Sequence, residues 1–228
     1  MAEQGTLEWR KARLGMFNGS EVGDLMGVPR TKGKQFTDTA LKLIYKVAAE
    51  RHLSFLLDMN DEIMEEFLNR GGVDNYAVRW GKSNEANAVN ALAEMLRAEG
   101  RKFIIEEAGS VIHEKITTLA ASPDRILTYD DGTRLVVEIK CPYIPANAYL
   151  AMKTVFDWES LKKWDAKYYW QVVAEIACNK ADGAQFCIYD PHQEEPLHSV
   201  YLARDESVEL QLLNKVIEAN EYIKEIEL

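Results

Sequence analysis

Two carboxylates and a lysine stand at a spacing that suits phosphodiester hydrolysis. Ser122-Pro123-Asp124 is followed, after thirteen residues, by Glu138-Ile139-Lys140 at the end of an apolar run. Cleaving a phosphodiester requires neutralising charge on the phosphoryl oxygens and turning water into a strong nucleophile. A pair of carboxylates offers hard oxygen ligands to Mg²⁺ or Mn²⁺, and such an ion meets both requirements. A neighbouring ammonium can orient the water and stabilise the charged transition state. Glu138 and Lys140 are two residues apart, so on a strand they leave by the same face. Asp124 must then come from the adjoining strand of a hairpin.

The flanking residues predict that hairpin. Leu135-Val136-Val137-Glu138-Ile139-Lys140 is a β-branched run with the length of a buried strand, and Ile126-Leu127-Thr128-Tyr129 is its partner. Asp130-Asp131-Gly132-Thr133 supplies the turn. A Glu and a Lys facing into the hairpin would be costly without partners. The pattern is the PD-(D/E)xK signature of metal-dependent nucleases. It is short, and about one chain in ten of this length matches it by chance. An ordinary ion pair on an exposed edge strand uses the same residues, so the motif alone leaves both readings open.

The remaining elements must carry this hairpin. Ser20 to Met26 has the apolar spacing of a short helix with Ser20 near its N-cap. Thr37 or Asp38 caps a second helix with Leu41, Ile44, Tyr45 and Ala48 on one face. A third includes Ile63, Phe67 and Leu68 and stops at Gly71-Gly72. A fourth begins near Trp80 to Ser83, carries Glu85 and a stripe of Val89, Leu92 and Leu96, and ends at Gly100. The period then shortens, and residues 102–107, 109–114, 116–121, 124–130 and 134–140 read as strands. Helix resumes after Pro145, with Tyr168 to Asn179 a further helix containing Gln171. Residues 184–189 and 198–203 read as strands, and Asp205 to Glu227 as an amphipathic terminal helix. The order predicts one α/β domain, residues 1–228, with a mixed central sheet flanked by helices.

Composition sets bounds. The 228 residues are 47% hydrophobic and 28% charged, as in soluble globular proteins, and no apolar run approaches a membrane span. Met1-Ala2-Glu3-Gln4 is unlike a secretory signal. Cys141, Cys178 and Cys187 have no metal or CxxC spacing, so reduced thiols and a cytoplasmic location are expected. His113 sits in a strand-like stretch and reads as structural. A net charge of −10 argues against a protein that coats nucleic acid. It allows one with a confined basic path, since Arg10, Lys11, Arg13, Arg30, Lys32 and Lys34 crowd the start of the chain.

From Trp9 to the terminal helix the chain resembles the lambda-phage-type exonucleases, the YqaJ-like viral recombinases. The resemblance is carried by Trp9-Arg10-Lys11-Ala12-Arg13-Leu14-Gly15 with Ser20-Glu21-Val22, by Trp80-Gly81-Lys82 with Glu85, and by Ala121-Ser122-Pro123-Asp124. Glu138-Ile139-Lys140-Cys141-Pro142 and Tyr169-Trp170-Gln171 complete it. It implies a restriction-endonuclease-like core. It also implies that Asp124, Glu138 and the Ile139 carbonyl hold metal, that Lys140 serves the water, and that Glu85 approaches a second metal. Arg13, Ser20, Ser122 and Gln171 match a 5′-phosphate pocket, a fitting set because a guanidinium grips phosphate by two parallel donors. Arg30 matches a residue that engages the DNA end. Val78 falls where the family places an apolar wedge, a larger leucine there. Gln171-Val172-Val173 departs from the family's Gln-x-Gln.

The activity implied is a processive 5′→3′ exonuclease on linear double-stranded DNA with a 5′-phosphate. It would use two Mg²⁺ per site, with Mn²⁺ as substitute, and release 5′-mononucleotides. The remaining 3′ tail would pass to a phage single-strand annealing protein, and the enzyme would be a homotrimer in the bacterial cytoplasm. A site-specific endonuclease and a catalytically silent DNA-binding or assembly protein are the alternatives.

Overall fold

The computed structural model describes residues 5–53, 60–69 and 75–226. The expected helix stop at Gly71-Gly72 and the expected last helical residue, Glu227, lie outside them. The main sheet has five strands: β2 (Phe103–Glu107), β5 (Arg125–Tyr129), β6 (Arg134–Lys140), β7 (Gly183–Tyr189) and β8 (Leu197–Ala203), in the order β2-β5-β6-β7-β8. Only β6 and β7 run parallel. A smaller sheet joins β1 (Phe17–Asn18), β4 (Leu119–Ala121) and β3 (Val111–Ile112) in the order β1-β4-β3. Ser122-Pro123-Asp124 is the crossing from β4 of one sheet to β5 of the other.

The β5–β6 hairpin forms as its sequence predicts. Gly132 takes the left-handed turn position at φ 89°, and Tyr129 N–H bonds the Thr133 carbonyl at 2.9 Å. Along β6 the side chains alternate between two buried faces. Leu135, Val137 and Ile139 pack with Ala88, Leu92 and Leu96 of helix α5 (Tyr76–Ala98). Val136 packs on the opposite face with Val172, Val173 and Ile176 of helix α8 (Ala166–Asn179). Each fully buried leucine or isoleucine contributes about 2 kcal/mol. Glu138 and Lys140 share Val136's face and are aimed at α8.

A parallel β6–β7 pair requires a crossover. Helices α6 (Pro145–Thr154), α7 (Trp158–Trp164) and α8 provide it. Asp165 starts α8, its side chain accepting from Lys167 and Tyr168 N–H, and Lys180 ends it in a left-handed conformation. Every residue from Tyr169 to Asn179 is buried, so α8 is internal, with Gln171 and Glu175 among its apolar neighbours.

Several boundaries depart from the sequence reading. Helix α5 begins at Tyr76, a turn before the expected start, because the Asn75 side chain caps it at Val78 N–H (3.0 Å). Helix α2 (Gly19–Val22) starts after Asn18, so Ser20 lies inside it rather than at its cap, and a 3-10 turn, Gly23–Met26, follows. Gly19 allows this placement: a Cβ there would sit 3.2 Å from Ala121 Cβ, so α2 rests directly on β4. Thr37 does cap α3 (Asp38–Arg51), bonding Ala40 N–H, but Ala40, Leu43, Ile44, Val47 and Ala48 face the core and Tyr45 is exposed. Helix α1 (Leu7–Lys11), β1 and α7 are too short to show a period. Helices α4 (Asp61–Asn69) and α9 (Glu206–Ile226) complete the described elements. No helix among the described residues is long and apolar enough to cross a membrane.

Candidate active site

Asp124 caps the edge of the hairpin. Its N–H donates to the Val137 carbonyl at 3.0 Å, and its Oδ2 accepts from Ile139 N–H at 2.7 Å. This brings it beside the Glu138–Ile139–Lys140 segment, on the hairpin neighbour the sequence required. Lys140 Nζ donates to Glu138 Oε1 at 2.5 Å and to Gln171 Oε1 at 3.2 Å, and lies 4.1 Å from the centre of the Tyr168 ring. Gln171 Nε2 donates to Glu138 Oε1 at 2.6 Å and to Glu175 Oε1 at 2.9 Å. Glu138 is only 3% exposed, and its Oε2 has no hydrogen-bond partner.

This pole is short of positive charge. Burial, then the charge of Glu138, pushes the Asp124 carboxyl well above the usual range, with Glu85 adding to the rise and Lys140 opposing it. Burial and Glu138 do the same to Glu175. Burial disfavours the Lys140 ammonium, but Glu138, Tyr168 and Asp124 outweigh it and hold the proton above the usual lysine range. Among the described residues no three His, Cys, Asp or Glu side chains converge in a metal-ligating arrangement. Two carboxylates, one with a buried unpartnered oxygen, form a donor set that fits a hard divalent cation.

Glu85 reaches the same region from α5. Arg125 Nη1 donates to Glu85 Oε1 at 2.8 Å and to the Asp124 carbonyl at 2.5 Å, tying the helix to the hairpin. A second cluster lies across the sheet crossing. Arg13 Nη1 donates to Ser122 Oγ at 3.3 Å and Nη2 to Ser20 Oγ at 3.2 Å, while its guanidinium lies 4.2 Å from the centre of the Trp9 ring. Burial lowers the Arg13 pKa, opposed by Glu21 and Glu175. A desolvated guanidinium flanked by two hydroxyls is suited to an anion. A cleft of about 760 Å³ opens beside Lys140, Tyr143 and Tyr168, with Val78 and Gly81 of α5 on its wall.

The family model of the YqaJ-like viral recombinase domain matches residues 8–182. The chain belongs to this family. No curated protein sequence matches the chain. Among solved structures, this YqaJ-like chain is similar to LHK-Exo, an alkaline exonuclease from Laribacter hongkongensis, at 23% identity and a TM-score of 0.68, covering 97% of this chain and 96% of that one. LHK-Exo in complex with dAMP gives 22% identity and a TM-score of 0.69 over the same shares. A phage related exonuclease from Haemophilus somnus 129PT gives 17% identity and a TM-score of 0.61, covering 92% and 94%. The shared fold is restriction-endonuclease-like, with a mixed sheet flanked by helices.

The site residues expected from the sequence fall into two groups. Asp124, Glu138, Ile139, Lys140 and Glu85 gather at the hairpin, and Arg13, Ser20 and Ser122 gather at the crossing. Gln171 joins the first group: it has no hydrogen bond to Arg13, Ser20 or Ser122 among the described residues, because α8 directs its amide onto Glu138 and Lys140. Val78 lines the cleft, 39% exposed, and Arg30 is exposed in the loop before α3, outside both groups. His113 is structural, its Nδ1 accepting from Lys115 and Ile116 N–H. Arg125, Tyr168 and Glu175 were not legible as site residues. The adjacency of Arg125 to Asp124 was the one available signal.

Proposed function

We propose that the chain is a metal-dependent 5′→3′ exonuclease acting on linear double-stranded DNA and releasing 5′-mononucleotides. YqaJ-like membership and a fold shared with exonucleases support a phage-type nuclease. The observation that carries the finer reading is the pairing of the Arg13–Ser20–Ser122 cluster with the Asp124–Glu138–Lys140 pole, with only Pro123 between Ser122 and Asp124. A grip for a terminal phosphate beside a hydrolytic centre suits removal of end nucleotides. The dAMP in the LHK-Exo complex is a nucleotide of that class.

Asp124, Glu138 and the Ile139 carbonyl would hold Mg²⁺, two per site with Glu85 serving the second, and Mn²⁺ would substitute. When bound, the metal supplies charge neutralisation at the scissile phosphate and a more acidic water. Lys140 orients that water and balances charge in the transition state. Gln171 holds Glu138 and Lys140 in place. Arg13 takes the 5′-phosphate, with Ser20 and Ser122 completing the cradle, while Gln171 could join it only by leaving its carboxylate partners. Arg30 meets the DNA end, and Val78 parts the last base pair from the cleft wall.

The remaining features follow from that substrate. The whole chain, 1–228, would serve as one nuclease domain in the bacterial cytoplasm and pass its 3′-tailed product to a phage single-strand annealing protein. A compact chain of this length has a radius of gyration of about 17 Å, too small to encircle a duplex alone. A closed homotrimer would give enclosure without a basic exterior. Light scattering should then report three times the 26.0 kDa chain mass, and digestion should survive a trap of unlabelled DNA. A distributive monomer would remove the ring.

The function is tested on linear and closed circular duplex, with Mg²⁺ or EDTA. Digestion of linear duplex only, in Mg²⁺ only, with 5′-mononucleotides as product, is expected. Cutting of closed circles would identify an endonuclease, and inert protein that still binds DNA would identify a silent one.

A further inference from the structure

We infer that Glu175 is a positioning residue: through Gln171 it fixes where the Glu138 carboxylate and the Lys140 ammonium stand. The inference rests on the nuclease reading above. Gln171 has two amide N–H groups and one carbonyl oxygen. The nitrogen lies between two acids, 2.6 Å from Glu138 Oε1 and 2.9 Å from Glu175 Oε1, and the oxygen accepts from Lys140 at 3.2 Å. Reversing this amide would set its oxygen against two carboxyl groups and its N–H groups against an ammonium. Glu175 therefore joins Glu138 and Lys140 in deciding which end of Gln171 meets which partner, and it occupies the second N–H of the amide. It is suited to do so because it lies one turn along the same internal helix, where i and i+4 side chains meet.

The cost of this arrangement argues against a role in stability alone. Glu175 is 1% exposed on a helix whose neighbours at 172, 173 and 176 are Val, Val and Ile, and its Oε2 has no partner. An apolar residue of the same length would fill the space and remove both the unpaired Oε2 and the cost of burying a carboxyl group. Nor is Glu175 explained by an ion pair. Lys140 and Arg13 feel its charge, but their hydrogen bonds go to Glu138 and Gln171 and to Ser122 and Ser20. Its one hydrogen bond to a side chain of the site is from Gln171. Without that acceptor one N–H of Gln171 is left in a buried place with no partner, and the amide is free to leave Glu138.

The test compares Glu175→Met, which keeps length and removes the acceptor, with Glu175→Gln, which keeps an acceptor oxygen. Partners that orient a metal ligand typically contribute about 10- to 100-fold. Glu175→Met should lower kcat on 5′-phosphorylated linear duplex by about 10- to 100-fold, with KM near wild type and a melting temperature unchanged or raised. Mn²⁺ binding, followed by electron paramagnetic resonance, should weaken by about tenfold. Glu175→Gln should restore most of both. Wild-type turnover in Glu175→Met, equal impairment of both variants, or a kcat loss matched by a fall in melting temperature would overturn the inference. If the wild-type protein digests no DNA, the nuclease reading fails separately, and the Mn²⁺ titration still decides: unchanged affinity in Glu175→Met ends the positioning role.

Discussion

Lys140→Ala abolishes strand cleavage while binding to DNA ends survives. The lysine bonds Glu138 and Gln171 at the acid pole and has no hydrogen bond to Arg13, Ser20 or Ser122 among the described residues, so its loss should remove chemistry rather than end recognition. Stability responds as well. Glu138 is 3% exposed, and Lys140 is its direct charge partner. Leaving a buried carboxylate without its cation costs about 3 kcal/mol. The variant should therefore melt lower than wild type in EDTA and recover part of the loss in Mg²⁺, because a ligand of the folded state alone stabilises it. The checks are single-turnover digestion, end binding in EDTA, and melting with and without Mg²⁺. Near-normal turnover would remove Lys140 from the mechanism.

Arg13→Ala removes the preference for 5′-phosphorylated ends. A charged hydrogen bond is worth about 1.5–3 kcal/mol, or roughly ten- to a hundredfold in rate on the phosphorylated substrate. Digestion from a 5′-hydroxyl end, already slower, should change little. Arg13→Lys should fall between, since an ammonium keeps the charge and loses the planar fork that meets Ser20 and Ser122 together. Competing the two ends in one reaction measures the effect directly. An unchanged ratio would place the phosphate grip elsewhere.

The parts legible in sequence were those governed by local periodicity. Residues 126–140 alternate and turn as their sequence requires, and the two-residue spacing of Glu138 and Lys140 put both on one face before any contact was known. Helices with a long buried stripe were legible for the same reason, although Asn75 moved the start of α5. The rest depended on distant contacts. Ser20 looked like a cap because short polar residues favour caps, whereas its hydroxyl faces a guanidinium brought by the turn after α1. The resemblance put Gln171 with the phosphate pocket and the sequence drew no attention to Glu175, because only the crossover that buries α8 against β6 gives them carboxylate and ammonium partners. Arg125 was hidden because its role joins a helix and a hairpin 40 residues apart.

The passage from the small sheet to the large one has a metric consequence. Ser122 belongs to the arginine cluster and Asp124 to the acid pole, and two residues of fully extended chain reach roughly 7 Å. In the proposed enzyme the chain between these two residues would act as a short gauge, with one end on the terminal phosphate and the other on the bond to be cut. On the exonuclease reading, the size of the fragment released is a length written into Ser122-Pro123-Asp124. Proline stiffens that gauge, and neither the cleft wall nor the outer helices need to measure anything.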